Sequence, residues 1–341
     1  MATSTDLPMV RLSLLAPIVA GVKALGVDPL PVLQAHQLSH DKVDDASLFV
    51  PARTMYSLVE ALAESSGDPY FGVHAGEKLD PWSWPPLARA AEGAATVGDF
   101  LLRFSLAAGE EASSIVYTVG TAGKRSTFAG RRASDTGIQP RHNDGFSIAY
   151  MLRILYPAVG EAWEGQRVLA RVCDPSVVPG DYLGIRLAAS ESLGFSLDFP
   201  TEWLLLPPAL GNRKRSGSRS VTVDLPLEST VASLHHALVP HLQEPDLDAA
   251  RVAGLFGISK RTLARRLAAE GTTLGAELGE LRKARARDLL AQRDLAVARV
   301  GEQVGYPDPA VFARAFKRWT GQSPSDYRRA LVGSRSSNGN G

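Results

Sequence analysis

The chain has 341 residues, enough for two or three domains, and its 45% hydrophobic content is ordinary for a soluble globular protein. A single cysteine, Cys173, excludes an internal disulfide and any cysteine-based zinc site, which fits a reducing cytoplasm. The net charge of +1 conceals a division: residues 1–212 hold 16 Lys+Arg against 23 Asp+Glu, a net of −7, whereas residues 213–341 hold 21 against 13, a net of +8. An acidic front and a basic back suggest that only the back faces a polyanion, although modest charge differences between domains are common.

Roughly the first ten residues have little to bury and read as disordered. Leu12 to Val27 is apolar but short, is interrupted by Pro17 and Lys23, and lacks the basic flank and small-residue cleavage site of a signal peptide. It reads as a buried helix rather than a membrane span. Helical patterns cover 12–25, 52–66, 97–108 and 143–157. Residues 113–119 and 125–129 read as strands around a Gly-Thr-Ala-Gly-Lys turn, and 167–173 and 195–206 are further strand candidates. Residues 10–210 therefore form an α+β domain.

No chemistry emerges from this front domain. His36 and His40 stand four apart, but the residues around them look like a helix end rather than a metal site. Gly93 to Gly98 lacks the Lys-Ser/Thr of a phosphate loop, and no Gly-x-Ser-x-Gly elbow occurs. Cys173 has no activating neighbour in sequence and sits in an apolar strand, so it reads as a buried structural thiol. No catalytic residue, metal or cofactor is expected. The aromatic residues could line a ligand pocket, but aromatics are more often core.

Residues 211–227, opening on the Gly-, Ser- and Arg-rich run Gly211 to Thr222, read as a flexible linker whose basic residues could also touch DNA. Residues 228–331 form an all-α domain with two helix-turn-helix motifs. In the first, about 247–270, Asp248 can cap a helix that buries Ala249, Val252 and Ala253. Gly257 makes the turn, and Ser259 caps a helix with Leu263 and Leu267 inward. That leaves Lys260, Arg261, Ala264, Arg265 and Ala268 facing outward, a pattern suited to the major groove. A connecting helix, roughly Leu274 to Gln292, mixes core and surface positions and is basic through Arg282, Lys283, Arg285 and Arg287. It would fix the spacing of the two heads; a separation near one DNA turn, about 34–36 Å, would let both enter successive grooves. In the second motif, about 295–319, Val297, Val300 and Val304 line a helix, Gly305 makes the turn, and Asp308 caps with Pro309 at the first helical position. Phe312 and Phe316 then share one face, with Arg314, Lys317 and Arg318 elsewhere. His235, His236 and His241 lack metal spacing and read as helix surface. The tail, 332–341, reads as disordered.

The string GYPDPAVFARAFKRWTGQSPSDYR, with the first unit VAGLFGISKRTLARRLAAEGTTLGAELGELRKARARDLL, closely resembles the AraC/XylS family of transcription regulators. The resemblance implies a bipartite domain of about seven helices with two recognition helices. On that pattern Lys260, Arg261 and Arg265 face DNA from the first helix, and Pro309, Ala310, Arg314 and Lys317 face it from the second. Two departures matter. Gly301 stands where the family usually has Ala, which should cost about 0.5–1 kcal/mol of local stability. Pro309 and Ala310 stand where polar base-readers are often found, so the first head should supply most base-specific recognition.

Residues 10–210 resemble the ligand-sensing domain of ornithine-utilisation-type regulators in the order of Gly26-Val27-Asp28-Pro29, Gly67-Asp68-Pro69-Tyr70-Phe71-Gly72 with His74, Ala95-Thr96-Val97-Gly98-Asp99-Phe100, the hairpin and Phe195 to Leu206. Trp82, Trp84, Pro85 and Pro86 depart from that branch, which tends to be glycine-rich there, so the pocket is expected to be reshaped. The resemblance implies a sequence-specific, ligand-responsive activator in the cytoplasm. Its partners would be double-stranded DNA, an unidentified small-molecule effector and RNA polymerase; the state a homodimer; and the membrane uninvolved. Two other classes stand beside it: a constitutive or architectural DNA-binding protein whose front domain only dimerises, and a DNA-guided methyl-acceptor enzyme, which would need a zinc-held cysteine cluster that one cysteine cannot make.

Overall fold

The computed structural model describes residues 7–210, 229–292 and 295–336, with side chains as far as Leu331. They form two compact units, 7–210 and 229–336. The expected linker, 211–227, lies outside the described residues.

The first unit opens with β1 (Met9–Arg11), a 3₁₀ turn (Leu12–Leu15) and α1 (Ala16–Ala24), then α2 (Leu30–Ala35), α3 (His40–Val43) and β2 (Phe49–Pro51). The disorder expected for roughly the first ten residues does not extend to 7–10. Leu7 and Met9 are fully buried, and β1 pairs antiparallel with β2, Val10 opposite Val50. The pairing partner lies 40 residues on, out of reach of a local reading.

Next come α4 (Ala52–Ser66), α5 (Phe71–Lys78), α6 (Pro85–Ala91), α7 (Val97–Gly109), the hairpin β3 (Ile115–Ala122) and β4 (Arg125–Arg132), α8 (Arg141–Val159), and β5 (Leu169–Val172), β6 (Arg186–Ala189) and β7 (Gly194–Pro200). The strand order is β3-β4-β7-β5-β6; β5 and β6 run parallel and the other neighbours antiparallel. Alternation sorts the strands' side chains: Phe128 of β4 and Phe195, Leu197 and Phe199 of β7 point into the core, with Phe128 opposite Leu197. The strand expected over 195–206 stops at Pro200. Thr201–Leu205 coils into a 3₁₀ turn that returns Trp203 to the core, stacked on Trp163 and Phe199.

Helix α8 is buried along most of its length, at every position from Phe146 to Leu155 except Arg153, so its apolar character is nearly continuous rather than amphipathic. It lies close against α5: a Cβ at Gly72 would overlap the His142 carbonyl.

The second unit is all-α. Its helices are α9 (Thr230–Leu238), α10 (Ala249–Leu255), α11 (Lys260–Ala269), α12 (Leu274–Leu290), α13 (Val297–Gln303), α14 (Pro309–Thr320) and α15 (Pro324–Ser336), with a 3₁₀ turn at Val239–His241. Helix-turn-helix pairs α10–α11 and α13–α14 are joined by α12, whose 17 residues span roughly 25 Å. Helix α15 continues to Ser336, and 337–341 lie outside the described residues. The molecule thus combines an α+β first unit with an all-α second unit carrying two helix-turn-helix motifs. Among the described residues no helix is long and apolar enough to cross a membrane.

Candidate DNA interface

The exposed face of α11 follows from what its opposite face buries. Val252 and Ala253 of α10, Phe256 in the turn and Leu263 and Leu267 of α11 form the inner side. Lys260, Arg261, Ala264, Arg265 and Ala268 are left in solvent. Gly257 turns the chain at φ +66°, in the left-handed region that side-chain-bearing residues avoid. Asp248 caps α10, its Oδ1 accepting from the amides of Ala250 and Arg251 at 2.9 and 2.8 Å. Ser259 caps α11, its Oγ accepting from the Thr262 amide at 3.1 Å.

The second head repeats the plan with larger side chains. Val300 and Val304 of α13 meet Phe312 and Phe316 of α14, with Tyr306, Trp319 and Tyr327 packed around them. Gly305 turns at φ +78°. The Asp308 carboxylate accepts from the amides of Ala310 and Val311 at 2.7 and 3.3 Å, with Pro309 at the first helical position. Pro309, Ala310, Arg314, Lys317 and Arg318 are exposed.

The charges on these faces are distinctive in what they do not do. Among the described residues, no salt bridge holds Lys260, Arg261, Arg265, Arg314 or Lys317. Elsewhere in the unit Arg251 is bound to Glu244, Lys283 to Glu280, Arg299 to Glu302 and Arg329 to Asp326. Arg285 and Arg318 are likewise exposed outside any such pair.

Sequence reasoning missed how the heads are held together. Glu244 accepts from Arg251 of α10 at 2.5 Å and from His241 at 2.8 Å. Burial opposes ionisation of Glu244, but these bonds outweigh it and hold the carboxyl below its ordinary range. Its backbone carbonyl accepts from Arg282 of α12 at 3.1 Å, and that guanidinium lies 5.3 Å from the centre of the Tyr306 ring in the second head. His241, expected on a helix surface, is therefore a buried member of this junction. At the other end of α11, Glu270 accepts from the amides of Thr230 and Val231 and from the Ser229 hydroxyl, clamping the start of α9. Pairings across 39 to 41 residues leave no local signal.

Gly301 also has a role that the sequence did not disclose. A Cβ there would stand 3.1 Å from the Phe312 ring, so the glycine lets the main aromatic anchor of α14 settle onto α13. The expected local helix cost is therefore exchanged for closer packing between the two helices.

In the first unit, Trp84 is buried, and Trp82 is half-buried with its indole N–H donated to the Leu210 carbonyl at 3.1 Å. Cys173 sits just beyond β5 rather than within it. Burial first, and the nearby Asp144 carboxylate second, push its thiol up to about 12, so it stays protonated. Among the described residues no group of three or more His, Cys, Asp or Glu is placed to hold a metal. His36 bonds instead to the Val32 carbonyl and the Ser57 hydroxyl.

A helix-turn-helix domain model matches residues 252–330. The model of the arabinose-binding domain at the N-terminus of AraC transcription regulators matches residues 26–182. The chain belongs to the AraC/XylS family of helix-turn-helix transcriptional regulators. Family members similar to it include an uncharacterised HTH-type regulator of Mycobacterium tuberculosis, 49% identical over 78 residues, which are 23% of this chain and 23% of that one. The match thus spans about a quarter of that relative's length. The regulator VirS of the same species is 26% identical over 329 residues, covering 90% of this chain and 92% of its own. The ornithine utilization regulator of Pseudomonas aeruginosa is 32% identical over 142 residues, 39% of this chain and 41% of that protein. The family is one of sequence-specific DNA-binding regulators with an N-terminal ligand-sensing domain, and the two matched segments fall in the second and first units respectively.

Proposed function

We propose that the protein is a one-component regulator in which a small molecule held by the first unit alters how the second unit engages a promoter. The observation that carries the DNA-binding half is the set of solvent-facing cations outside any salt bridge on α11 and α14, in a unit where Arg251, Lys283, Arg299 and Arg329 are each held by a carboxylate. Free guanidinium groups can contact guanine edges and phosphates without first breaking an internal bond.

On this reading Lys260, Arg261 and Arg265 read bases and phosphates from α11, where the neutral Ser259 cap leaves the helix N-terminus attractive to anions. Helix α14 begins with the Asp308 carboxylate, followed by Pro309 and Ala310, which have no side-chain donor. It would anchor phosphates through Arg314 and Lys317 and touch thymine methyls with Pro309 and Ala310. The chain acts as a homodimer on double-stranded DNA, activates transcription through contact with RNA polymerase, and takes its effector in the first unit. Activation and the sensing role rest on family membership. Kinship of the first unit with ornithine-type regulators is supported by the partial match to one of them. Exposed Leu102 and Leu106, one turn apart on α7, are an apolar pair available to a second subunit.

Selection from a random DNA library with the full-length chain at two salt concentrations tests the reading. A reproducible site with two contacted grooves about one turn apart supports it. Salt-sensitive binding without an enriched sequence would replace it with the architectural alternative.

A further inference from the structure

The first unit contains a partly open cavity of about 60 Å³ between α1, α4, α8 and the start of β3. Ile18, Met55, Ile115 and Phe146 make much of its wall, and no charged side chain lines it. The Trp84 indole nitrogen on this wall has no hydrogen-bond partner, and the Tyr150 hydroxyl makes no hydrogen bond of ordinary geometry, although it lies near enough to the Tyr117 and Ser147 hydroxyls to interact with both. The Trp84 and Tyr150 side chains are more than nine-tenths buried, at 6% and 1% exposure. The rings of Trp84, Phe146 and Tyr150 stand 5.2 to 5.7 Å apart, so the two donor-bearing side chains share one aromatic corner. Burial raises the Tyr150 phenol well above its ordinary value, which leaves it a neutral O–H group.

Two other polar side chains on the wall are engaged. The Tyr56 hydroxyl donates to Ser114 Oγ at 3.3 Å, and Ser147 Oγ donates to the Asn143 carbonyl at 2.9 Å. The buried charges of this unit are committed to one another: Arg132 to Asp144, and Arg11 and Arg89 to Glu111. In the larger open cleft beside α4, Glu60 accepts from the His142 amide and pairs with Arg141, and Asp68 pairs with His74.

We propose that the cavity binds a compact, neutral, largely apolar molecule bearing one hydrogen-bond-accepting oxygen, such as a short ketone, aldehyde or ether, with that oxygen accepting from Trp84 and Tyr150. The assignment rests on the sensing reading above and specifies its chemistry. A buried donor costs free energy until an acceptor reaches it, and this wall supplies two donors together. A sugar brings several hydroxyl donors for which the wall has too few free acceptors. An amino acid brings charges that find no counter-ion there. The volume is well below the roughly 150 Å³ of a cavity that admits benzene, so the ligand has only a few heavy atoms.

The test uses the full-length chain with ¹⁵N-labelled tryptophan, the Trp84 indole signal being assigned by its loss in Trp84→Phe. Butan-2-one, arabinose and ornithine are titrated separately. Butan-2-one alone is expected to move the Trp84 signal saturably, and Tyr150→Phe to raise its dissociation constant about threefold to tenfold, the loss of one neutral hydrogen bond. Movement with arabinose or ornithine but not butan-2-one overturns the ligand class while leaving the sensing reading intact. A Trp84 signal moved by none of the three overturns the site. In that case, whether any metabolite changes DNA binding by the same chain decides the sensing reading separately. An unaltered dissociation constant in Tyr150→Phe overturns the assigned hydrogen bond.

Discussion

The two heads share one plan but divide its burdens differently. The first is small and mainly aliphatic inside, with Val252, Leu263 and Leu267 buried beside a single aromatic, Phe256, and presents Lys260, Arg261 and Arg265 from a helix with a neutral cap. The second is aromatic inside, with Tyr306, Phe312, Phe316, Trp319 and Tyr327 in edge and tilted contacts at 5.4 to 6.5 Å. It presents Pro309 and Ala310 where donors would read bases. Aromatic packing concentrates stability in few residues, whereas unpaired guanidinium groups are poised for recognition. The difference suggests that the second head holds the unit and the DNA backbone, and the first chooses the sequence.

The most severe test of that division is Phe316→Ala, which should lower the stability of the second unit by about 3–5 kcal/mol. An unaltered melting curve would remove the second head's structural priority. Arg265→Ala should cost about 1–3 kcal/mol on the selected site and far less on random DNA. If Arg314→Ala relaxed sequence preference while Arg265→Ala did not, the roles of the heads would be reversed. Asp308→Ala should destabilise by about 1 kcal/mol through loss of its two amide bonds. The same change should leave or improve DNA affinity, because it removes a carboxylate from the face of α14; weaker binding by a still-folded protein would mean that this carboxylate helps the contact. Gly301→Ala should change stability by less than about 1 kcal/mol, the helix preference for Ala being offset by pressure on Phe312. A clear gain would mean that Phe312 can give way. Lys317→Ala should flatten the salt dependence of binding by about one phosphate's worth, and an unchanged slope would take Lys317 off the backbone.

Much of the second unit was legible because its signals are local. Capping residues stand within three positions of the amides they serve, turn glycines lie between short periodic runs, and inward positions repeat every three to four residues. Helix α4 and the β3–β4 hairpin of the first unit were legible for the same reason. Strands β1, β2 and β6 were not. Each is only three or four residues long, too short to show alternation, and each pairs with a strand from which a long stretch of intervening chain separates it.

The sequence alone therefore determined the class of protein, the order of its parts and which face of each reading helix is apolar, since all of these depend on residues near one another along the chain. Tertiary structure decided the rest. It made Glu244, Arg282 and Tyr306 into one junction between the heads, buried His241, gave Gly301 a partner in Phe312, and gathered Trp84, Phe146 and Tyr150 from α8 and the approach to α6 around one cavity. Hydrogen-bond satisfaction and close packing are properties of the assembled interior, and no periodicity along the chain encodes which distant group arrives to complete them.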